Sequence, residues 1–401
     1  MKILHVLPFF EPAGGPATHV YYLSKGLAGE DIGCVVCARE VEGWMDSGDT
    51  YSITRVIRLK EINKLIRCAP PVKEPDSREF NEILGNLSYQ LKKIVEKEKI
   101  DIIHSHDIRT SLVLERVKEE AGTPFVATGH NTVAPASILS QLYRGEAVYG
   151  YLEMLSSFLK RGNYDKLICV SNFSYEMYTS FGARRSKTVV IYNGIDVEEF
   201  NPYIDGSNIR AKLGVDAEAC LIFTPARVEY RKCFDTIFKA LHRLASNGYD
   251  FKLLISPRLG TSYHRQAEDE LLGLAKRLSL TDYITSATFD QRSMPEAYAA
   301  SDIVCLMGYE NFGYAVAEGM AAGRPVIGAK WSALPELIEH GVNGFLVEPG
   351  EPDQLAYYLS LLLRDRVLRE RMGGVGRRIA VERFNLADNI KRHVELYESL
   401  L

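Results

Sequence analysis

The sequence predicts an α/β protein with two doubly wound, Rossmann-like domains. Short apolar runs alternate with helical patterns along all 401 residues, which is typical of parallel sheets covered by helices. A chain of this length exceeds one ordinary core, so two domains are expected. A stretch rich in Asn, Asp, Gly and Pro at 193–207 marks the boundary. We therefore expect domains at 1–196 and 207–384 that face one another, with ligands bound in the cleft between them.

The apolar runs of the first half predict strands, with helices between them. These strands are predicted at 3–7, 33–38, 100–104, 124–128, 166–170 and 188–191. One helix is expected to begin at Pro16, because proline suits the first helical turn, and another to cover 78–98.

The second half repeats the plan of the first. Its strands are predicted at 221–225, 251–255, 283–286, 303–306, 325–327 and 344–347. Its helices are predicted at 234–246, 263–279, 314–322 and 354–363.

Composition and charge exclude several classes of protein. The net charge of −4 gives no reason to expect a nucleic-acid-binding protein. Apolar runs stay below the ~18 residues of a membrane-spanning helix, and the first run suits a buried strand better than a signal peptide. Cys34 and Cys37 would point to opposite faces of a strand, so we expect buried free thiols in a reducing cytoplasm.

Two segments interrupt the alternation. The stretch 55–67 carries five cations against the single acid Glu61, interleaved with aliphatic residues. It suits contact with an anionic membrane surface or an anionic acceptor, but a solvated segment that packs its aliphatic side chains is favoured. The Tyr- and Leu-rich stretch 136–161 suits equally a wall on the acceptor side or an ordinary core helix.

Polar residues follow several predicted strands of the first half. His106 and Asp107 follow one strand and His130 follows the next, so each is well placed for substrate contact. A strand cap with a satisfied histidine is the alternative for the first pair. His104 and His106 share a strand face, but their spacing suggests no further metal ligands. Gly15, before Pro16, suits either close backbone approach to a ligand or a plain tight turn.

Cations and carboxylates mark the second half. Arg227 and Lys232 bracket the loop before a predicted helix, where two cations oppose the helix dipole unless an anion such as a diphosphate bridges them. Glu310 precedes a second helix start at Gly313, and Glu318 lies in its first turns. A helix N-terminus suits a phosphate and the carboxylates suit sugar hydroxyls, so the pattern indicates a sugar nucleotide.

These residues together resemble glycosyltransferase family 4, along nearly the whole chain. The resemblance rests on Asn193-Gly194-Ile195-Asp196 with Phe200-Asn201-Pro202, on the Arg227 and Lys232 pair, and on Glu310-x7-Glu318 followed by Gly-x-Ala-x-Gly-x-Pro-Val. The family implies a GT-B fold, retaining transfer, a last helix at about 385–401 that crosses back to the first domain, and no metal or other cofactor. The chain departs from the usual family pattern at 256–259, at 307–309 and at 332–334, with Trp331 just upstream.

The resemblance also implies roles for individual residues. Arg227 and Lys232 would hold the diphosphate, Glu310 would contact the transferred sugar, and His130 would contact it near the reacting carbon. The remaining donor-binding residues would be Gly15, the backbone amides of Phe312, Gly313 and Tyr314, and Glu318 at the ribose. Asp107 and His106 would lie on the acceptor side.

The function expected from these roles is that of a retaining hexosyltransferase. It would move a hexose-type sugar from a UDP- or GDP-sugar to a glycan or lipid-linked acceptor, in the cytoplasm or at the inner face of a membrane. The alternatives are a sugar-nucleotide epimerase on the same fold and a non-catalytic subunit that binds the donor. No lysine context suggests a pyridoxal phosphate phosphorylase. The sugar, the base, the acceptor and the oligomeric state stay open.

Overall fold

A computed structural model describes residues 1–10, 15–41, 55–62, 65, 78–130, 132–135, 138–139, 147–216, 218–256 and 262–401. The chain forms two compact units. The first comprises Met1–Gly194 and Leu386–Leu401, and the second comprises Ile195–Asn385. Each unit contains an all-parallel sheet with helices packed on it, so the predicted fold class is confirmed.

The first unit is built on a parallel sheet. Its strands in the described part of the chain are β1 (Lys2–Val6), β3 (Gly33–Ala38), β5 (Arg55–Arg58), β6 (Ile102–Ser105), β7 (Phe125–Gly129), β8 (Lys166–Cys169) and β9 (Thr188–Val190). Across the sheet they lie in the order β5-β3-β1-β6-β7-β8-β9. A short parallel pair, β2 (Phe9–Phe10) with β4 (Glu40–Val41), was not expected from the sequence.

Helices cover both faces of this sheet. They are α1 (Gly15–Gly29), α2 (Arg78–Glu98), α3 (Ile108–Ala121), α4 (Ala147–Arg161), α5 (Asn172–Ser180) and, from the end of the chain, α14 (Leu386–Glu398). One face of the sheet packs on residues of α2, α3 and α4, and the other packs on α1 and α14. Cys37 lies in the first core and Cys34 in the second, so the two thiols point to opposite faces as predicted.

The second unit also has a parallel sheet. Its strands are β10 (Leu221–Thr224), β11 (Lys252–Ile255), β12 (Ile284–Ser286), β13 (Ile303–Leu306), β14 (Val326–Ala329) and β15 (Gly344–Val347). Across the sheet they lie in the order β12-β11-β10-β13-β14-β15. Its helices are α6 (Ser207–Leu213), α7 (Phe234–Ser246), α8 (Ser262–Arg277), α9 (Met294–Ala300), α10 (Tyr314–Ala321), α11 (Leu334–Leu337), α12 (Pro352–Arg364) and α13 (Arg366–Arg383).

The two unusual segments of the sequence are partly described. Arg55–Arg58 is the edge strand β5, and Arg55 forms an ion pair with Glu98. Lys64 and Arg67 lie outside the described residues. Within 136–161, the helix α4 places Met154, Leu155 and Phe158 in the core, which is the ordinary packing role. None of the helices in the described ranges is long and apolar enough to span a bilayer.

Candidate active site

Lys232 and Glu310 form a buried ion pair in the second unit. Lys232 ends a 3-10 turn, Tyr230–Lys232, that follows β10, and Glu310 lies in the loop after β13. Their side chains are 13% and 15% exposed, and Lys232 Nζ contacts a Glu310 carboxylate oxygen. Burial and the neighbouring Arg231 lower the pKa of Lys232, while Glu310 opposes this shift. The carboxylate therefore keeps a largely desolvated cation charged.

The two loops that carry this pair are joined through their backbones. The Tyr309 amide donates to the Arg231 carbonyl at 3.2 Å, and Arg231 Nη1 donates to the Tyr309 carbonyl at 3.1 Å. Gly308 lies against the pair, since a Cβ there would come within 2.9 Å of Lys232 Cδ and 3.0 Å of Glu310 Oε1. A glycine at this position lets the loops approach closely enough for the ion pair to form.

Two departures from the family pattern stabilise the loop that carries Glu310. Trp331 Nε1 donates to the Gly308 carbonyl at 3.1 Å. The Glu310 amide donates to Ser332 Oγ at 3.0 Å, and the Ala333 amide donates to the Glu310 carbonyl at 3.1 Å. The loop after β14 therefore holds the backbone of Glu310 in place.

Arg227 is linked to this pair through a buried carboxylate. Glu229 is buried and accepts from Arg231 Nη2 at 2.8 Å, and Arg227 Nη2 lies 3.8 Å from the same oxygen. The Arg227 side chain is 35% exposed. The sequence led us to expect a diphosphate between the cations, whereas within the protein alone Glu229 and Glu310 supply the compensating charge.

The N-terminus of α10 follows directly after Glu310. Gly313 is its N-cap, with φ of +101°, and a Cβ there would lie 2.7 Å from Leu334 Cδ2. No side chain of the described residues caps this helix start. Phe312 is buried and packs edge-to-face against Tyr314 and Phe384. The glycine thus meets two demands, a left-handed backbone and a close neighbour, and the first-turn amides have no acceptor within the helix.

Glu318 projects from α10 and is oriented by a tyrosine. The Tyr298 hydroxyl donates to Glu318 Oε2 at 2.6 Å. Burial, with the Glu318 charge adding to it, raises the pKa of Tyr314 well above its ordinary value. The two carboxylates predicted for donor binding therefore lie at the ends of the segment from Glu310 to Glu318. One of the two predicted cations, Lys232, pairs with the first of them.

The candidates of the first unit occupy strand ends and a helix start. Gly15 is the exposed first residue of α1, whereas the preceding residues, 11–14, lie outside the described part of the chain. Asp107 is the N-cap of α3 and is buried; its carboxylate accepts from the Arg109 amide at 2.9 Å and pairs with the Arg109 guanidinium at 3.0 Å. Asp107 therefore caps a helix, which differs from the strand cap that the sequence had left as an alternative.

His106 and His130 belong to a larger group that we call the histidine cluster. Its six members are His5, His19, His104, His106, His130 and His393. His5 Nδ1 and His106 Nε2 lie 3.0 Å apart, and His106 Nδ1 lies 3.4 Å from His130 Nε2. The cluster is buried except for His130, which is half-buried. His106 is therefore surrounded by other imidazoles.

Four of these histidines, His5, His19, His104 and His393, were not predicted as site residues. His5 pairs in register with His104 on the neighbouring strand, a proximity that only the order of the strands defines. His19 lies on the buried face of α1, and His393 comes from α14 at the far end of the chain. A histidine in the middle of an otherwise apolar first strand was the one available signal for His5.

The histidine cluster is uncharged near neutral pH. Burial, with repulsion from His393, lowers the pKa of His5 and of His130 to about 3, and burial lowers that of His393 to about 4. Burial and the other imidazoles hold the pKa values of His19, His104 and His106 well below the ordinary value. These side chains can accept or donate hydrogen bonds as neutral imidazoles.

Comparison with known families identifies the family of the chain. Residues 13–199 match the model described as Glycosyltransferase Family 4, and residues 205–378 match the model described as Glycosyl transferases group 1. The chain belongs to the family 4 type of glycosyltransferase, and the predicted resemblance is confirmed.

Individual relatives and solved structures extend this comparison. An uncharacterized glycosyltransferase of Methanocaldococcus jannaschii is 25% identical over 99% of this chain and 98% of its own length. A D-inositol 3-phosphate glycosyltransferase of Streptomyces avermitilis is 26% identical over 70% of this chain and 61% of its own.

Two solved structures resemble the whole chain. Sucrose-phosphate synthase from Thermosynechococcus elongatus has a TM-score of 0.84 at 20% identity, covering 100% of this chain and 98% of its own. Anabaena HepE in complex with UDP-glucose has a TM-score of 0.81 at 22% identity, covering 100% of both chains. The fold is therefore GT-B.

Proposed function

We propose that this glycosyltransferase moves a hexose-type sugar from a UDP- or GDP-sugar to an acceptor hydroxyl with retention of the anomeric configuration. The observation that carries the proposal is the largely buried Lys232–Glu310 pair, in which Glu310 lies three residues before Gly313, the N-cap of α10. The second unit thus brings together a cation, a carboxylate and a helix start. A diphosphate requires the first and the last of these, and a sugar requires the second.

In this reaction the bond between the anomeric carbon and the diphosphate oxygen breaks first. Charge accumulates on the departing diphosphate, where Lys232, Arg227 and the first amides of α10 stabilise it. The acceptor oxygen then bonds to the anomeric carbon on the same face, and its proton passes to the diphosphate. Glu310 orients the sugar, and Glu318 binds the ribose hydroxyls.

The first unit supplies the remaining contacts of the proposal. His130 donates or accepts a hydrogen bond at the sugar as a neutral imidazole, which its lowered pKa of about 3 supports. Gly15 lets the backbone approach the diphosphate. His106 and Asp107 are assigned to the acceptor side, where Asp107 also caps the N-terminus of α3.

The choice of donor to test first comes from the relatives. HepE was crystallised with UDP-glucose, and the Streptomyces avermitilis relative is named for D-inositol 3-phosphate. UDP-glucose is therefore the first donor and D-inositol 3-phosphate the first acceptor in a panel with GDP-sugars and simple glycans.

The test is anomeric nuclear magnetic resonance of the reaction with and without acceptor. A product whose new linkage has the same anomeric configuration as the donor is expected, formed only when acceptor is present. Consumption of the donor alone would instead identify an epimerase. Donor binding without turnover on any acceptor would leave a non-catalytic subunit.

Lys232→Ala is predicted to lower turnover by ~10²-fold or more, because a pre-organised charge at the leaving group is lost. Steady-state kinetics on the wild-type chain and the variant measure this effect. Lys239→Ala is the matched control, since Lys239 pairs with Asp235 on the exposed side of α7. A change of less than a few-fold in Lys232→Ala would remove Lys232 from the mechanism.

A further inference from the structure

We propose that His19, His106 and His130 form a binding site for a transition-metal ion of the Zn²⁺ type. Their ligand nitrogens all lie within 4.8 Å of one another. The three side chains come from different elements, since His19 lies on α1, His106 follows β6 and His130 follows β7. Convergence of three imidazoles, two from the ends of neighbouring strands and one from a helix, matches the ligand set of three-histidine zinc sites.

The distances inside this group suit a shared ion. Zn²⁺ binds imidazole nitrogens at ~2.0–2.1 Å, so two nitrogens on one tetrahedral ion lie roughly 3.4 Å apart. His106 Nδ1 and His130 Nε2 lie 3.4 Å apart, which is also long for a hydrogen bond between two imidazoles. The ligand nitrogen of His19 lies within 4.8 Å of the other two.

A second, independent observation is an unsatisfied buried nitrogen. His19 is 3% exposed, and its Nε2 atom has no hydrogen-bond partner in the described part of the chain. A buried imidazole nitrogen without a partner has lost its hydrogen bonds to water and gained none in return, which is unfavourable. Coordination of a cation would restore this interaction.

His106 also has the outer partner that a metal ligand requires. Its other ring nitrogen, Nε2, lies 3.0 Å from His5 Nδ1. Such a hydrogen bond fixes the tautomer and orientation of a ligating histidine. His5 is therefore placed to support the ligand rather than to bind the ion.

The alternative group of His5, His104 and His106 is less suitable. Both nitrogens of His104 are already engaged, Nδ1 with the Tyr397 hydroxyl at 2.7 Å and Nε2 with Thr128 Oγ1 at 2.7 Å. Coordination there would break one of two well-formed hydrogen bonds. This difference makes His104 the natural control residue.

The chemistry of the ligands selects the class of ion. Neutral imidazoles suit Zn²⁺, Ni²⁺ and Cu²⁺, whereas Mg²⁺ and Ca²⁺ require oxygen ligands. The nearby Asp107 carboxylate is held by Arg109.

The experiment is calorimetric titration of the full-length, chelator-treated chain with Zn²⁺, and of the same chain with Co²⁺ followed by visible absorption. One ion per chain is expected, and His19→Gln and His130→Gln should each weaken binding at least tenfold. His104→Gln should bind as the wild-type chain does. X-ray absorption of the Zn²⁺-loaded wild-type chain should show three imidazole ligands, which keeps the test valid if a variant fails to fold.

Three results would overturn the site. The first is a wild-type chain that binds no Zn²⁺ at micromolar concentrations. The second is binding that survives both His19→Gln and His130→Gln, and the third is an X-ray absorption spectrum without imidazole scattering. These measurements do not depend on sugar transfer, so their failure and the failure of the proposed function can be told apart.

One consequence rests on the proposed function. His130 cannot coordinate an ion and contact the donor sugar through the same nitrogen. Zn²⁺ should therefore inhibit transfer in the wild-type chain, and a chelator should restore it.

Discussion

Lys232 is the residue whose environment says most about the site. A buried ammonium is costly unless a counter-charge lies beside it, and Glu310 is that counter-charge. The backbone of Glu310 is in turn held in place by hydrogen bonds with Ser332 and Ala333. Under the proposed function, a diphosphate would meet at Lys232 a cation that is already desolvated and oriented, which is the condition for strong electrostatic stabilisation.

At the same scale, Glu318→Ala is predicted to weaken UDP binding at least about tenfold, because charge-assisted hydrogen bonds to the ribose contribute about 1.5–3 kcal/mol. Calorimetry with UDP measures the loss. Tyr298→Phe should weaken binding less, since it removes only the hydroxyl that orients Glu318.

The control ligand for this prediction is 2′,3′-dideoxy-UDP, which lacks the hydroxyls assigned to Glu318. Its affinity should hardly change in Glu318→Ala. Equal losses for both nucleotides would place Glu318 elsewhere in the site, and unchanged UDP affinity would contradict the assignment outright. Tyr357→Phe, at an exposed tyrosine of α12, serves as the protein control.

At the scale of elements, close packing depends on glycines on helix faces. Gly26 of α1 faces Ile390 of α14, and a Cβ there would lie 1.8 Å from Ile390 Cδ1. Gly319 of α10 similarly lies against Val304 of β13, since a Cβ at Gly319 would lie 2.9 Å from Val304 Cγ2. These glycines lower helix propensity, and they let a helix approach its neighbour closely.

Two adjacent glycines in α13 provide a direct test of this principle. Gly374→Ala is predicted to raise stability by about 0.5–1 kcal/mol, because its Cβ would enter open space and alanine favours the helix. Gly373→Ala is predicted to lower stability by about 1–3 kcal/mol, because its Cβ would lie 2.0 Å from the Gly323 carbonyl oxygen.

Urea unfolding of the two variants measures both effects. The substitution, the helix and its propensity are the same at neighbouring positions, so the pair is internally controlled. A change in stability in the same direction for both variants would contradict the close contact between α13 and the backbone at Gly323.

At the scale of the whole molecule, the end of the chain completes the first unit. Ile390 and Tyr397 of α14 lie in the core beside α1, and His393 joins the histidine cluster. The first unit thus depends on residues separated by the entire second unit in sequence. Its formation requires long-range contacts, which are slow to form and easily lost.

The histidine cluster predicts acid sensitivity of the metal-free chain. His393 has a pKa of about 4 when folded and an ordinary value of 6.5, so the unfolded chain binds more protons between these values. Its contribution to stability is full above pH 6.5 and is lost as the pH falls. Between pH 7.5 and 5.5, His393→Leu should lose about 1 kcal/mol less stability than the wild-type chain.

Urea unfolding at both pH values, with a chelator present, checks this prediction. Only the pH dependence is diagnostic, because the substitution also changes packing at every pH. An equal loss in both chains would mean that His393 takes up no additional proton on unfolding.

Much of the architecture could be predicted because strands and helices are encoded locally. The strands at 33–38 and 344–347 and the helices at 78–98 and 234–246 were predicted with the observed ends. The strand predicted at 325–327 begins one residue later and extends to Ala329. The short paired strands β2 and β4 and the edge strand β5 were not predicted, because runs of two to four residues carry little periodicity.

The fold class, the family and the placement of Glu310 and Glu318 around one helix start could all be read from the sequence, because they follow from short-range periodicity and spacing. The contact between Lys232 and Glu310, and the support that Gly308, Trp331 and Ser332 give to it, became visible only in the folded chain. The same is true of the six histidines of the histidine cluster. Those contacts join residues that are distant in sequence, and the order of strands in a sheet, which brings them together, has no local signature.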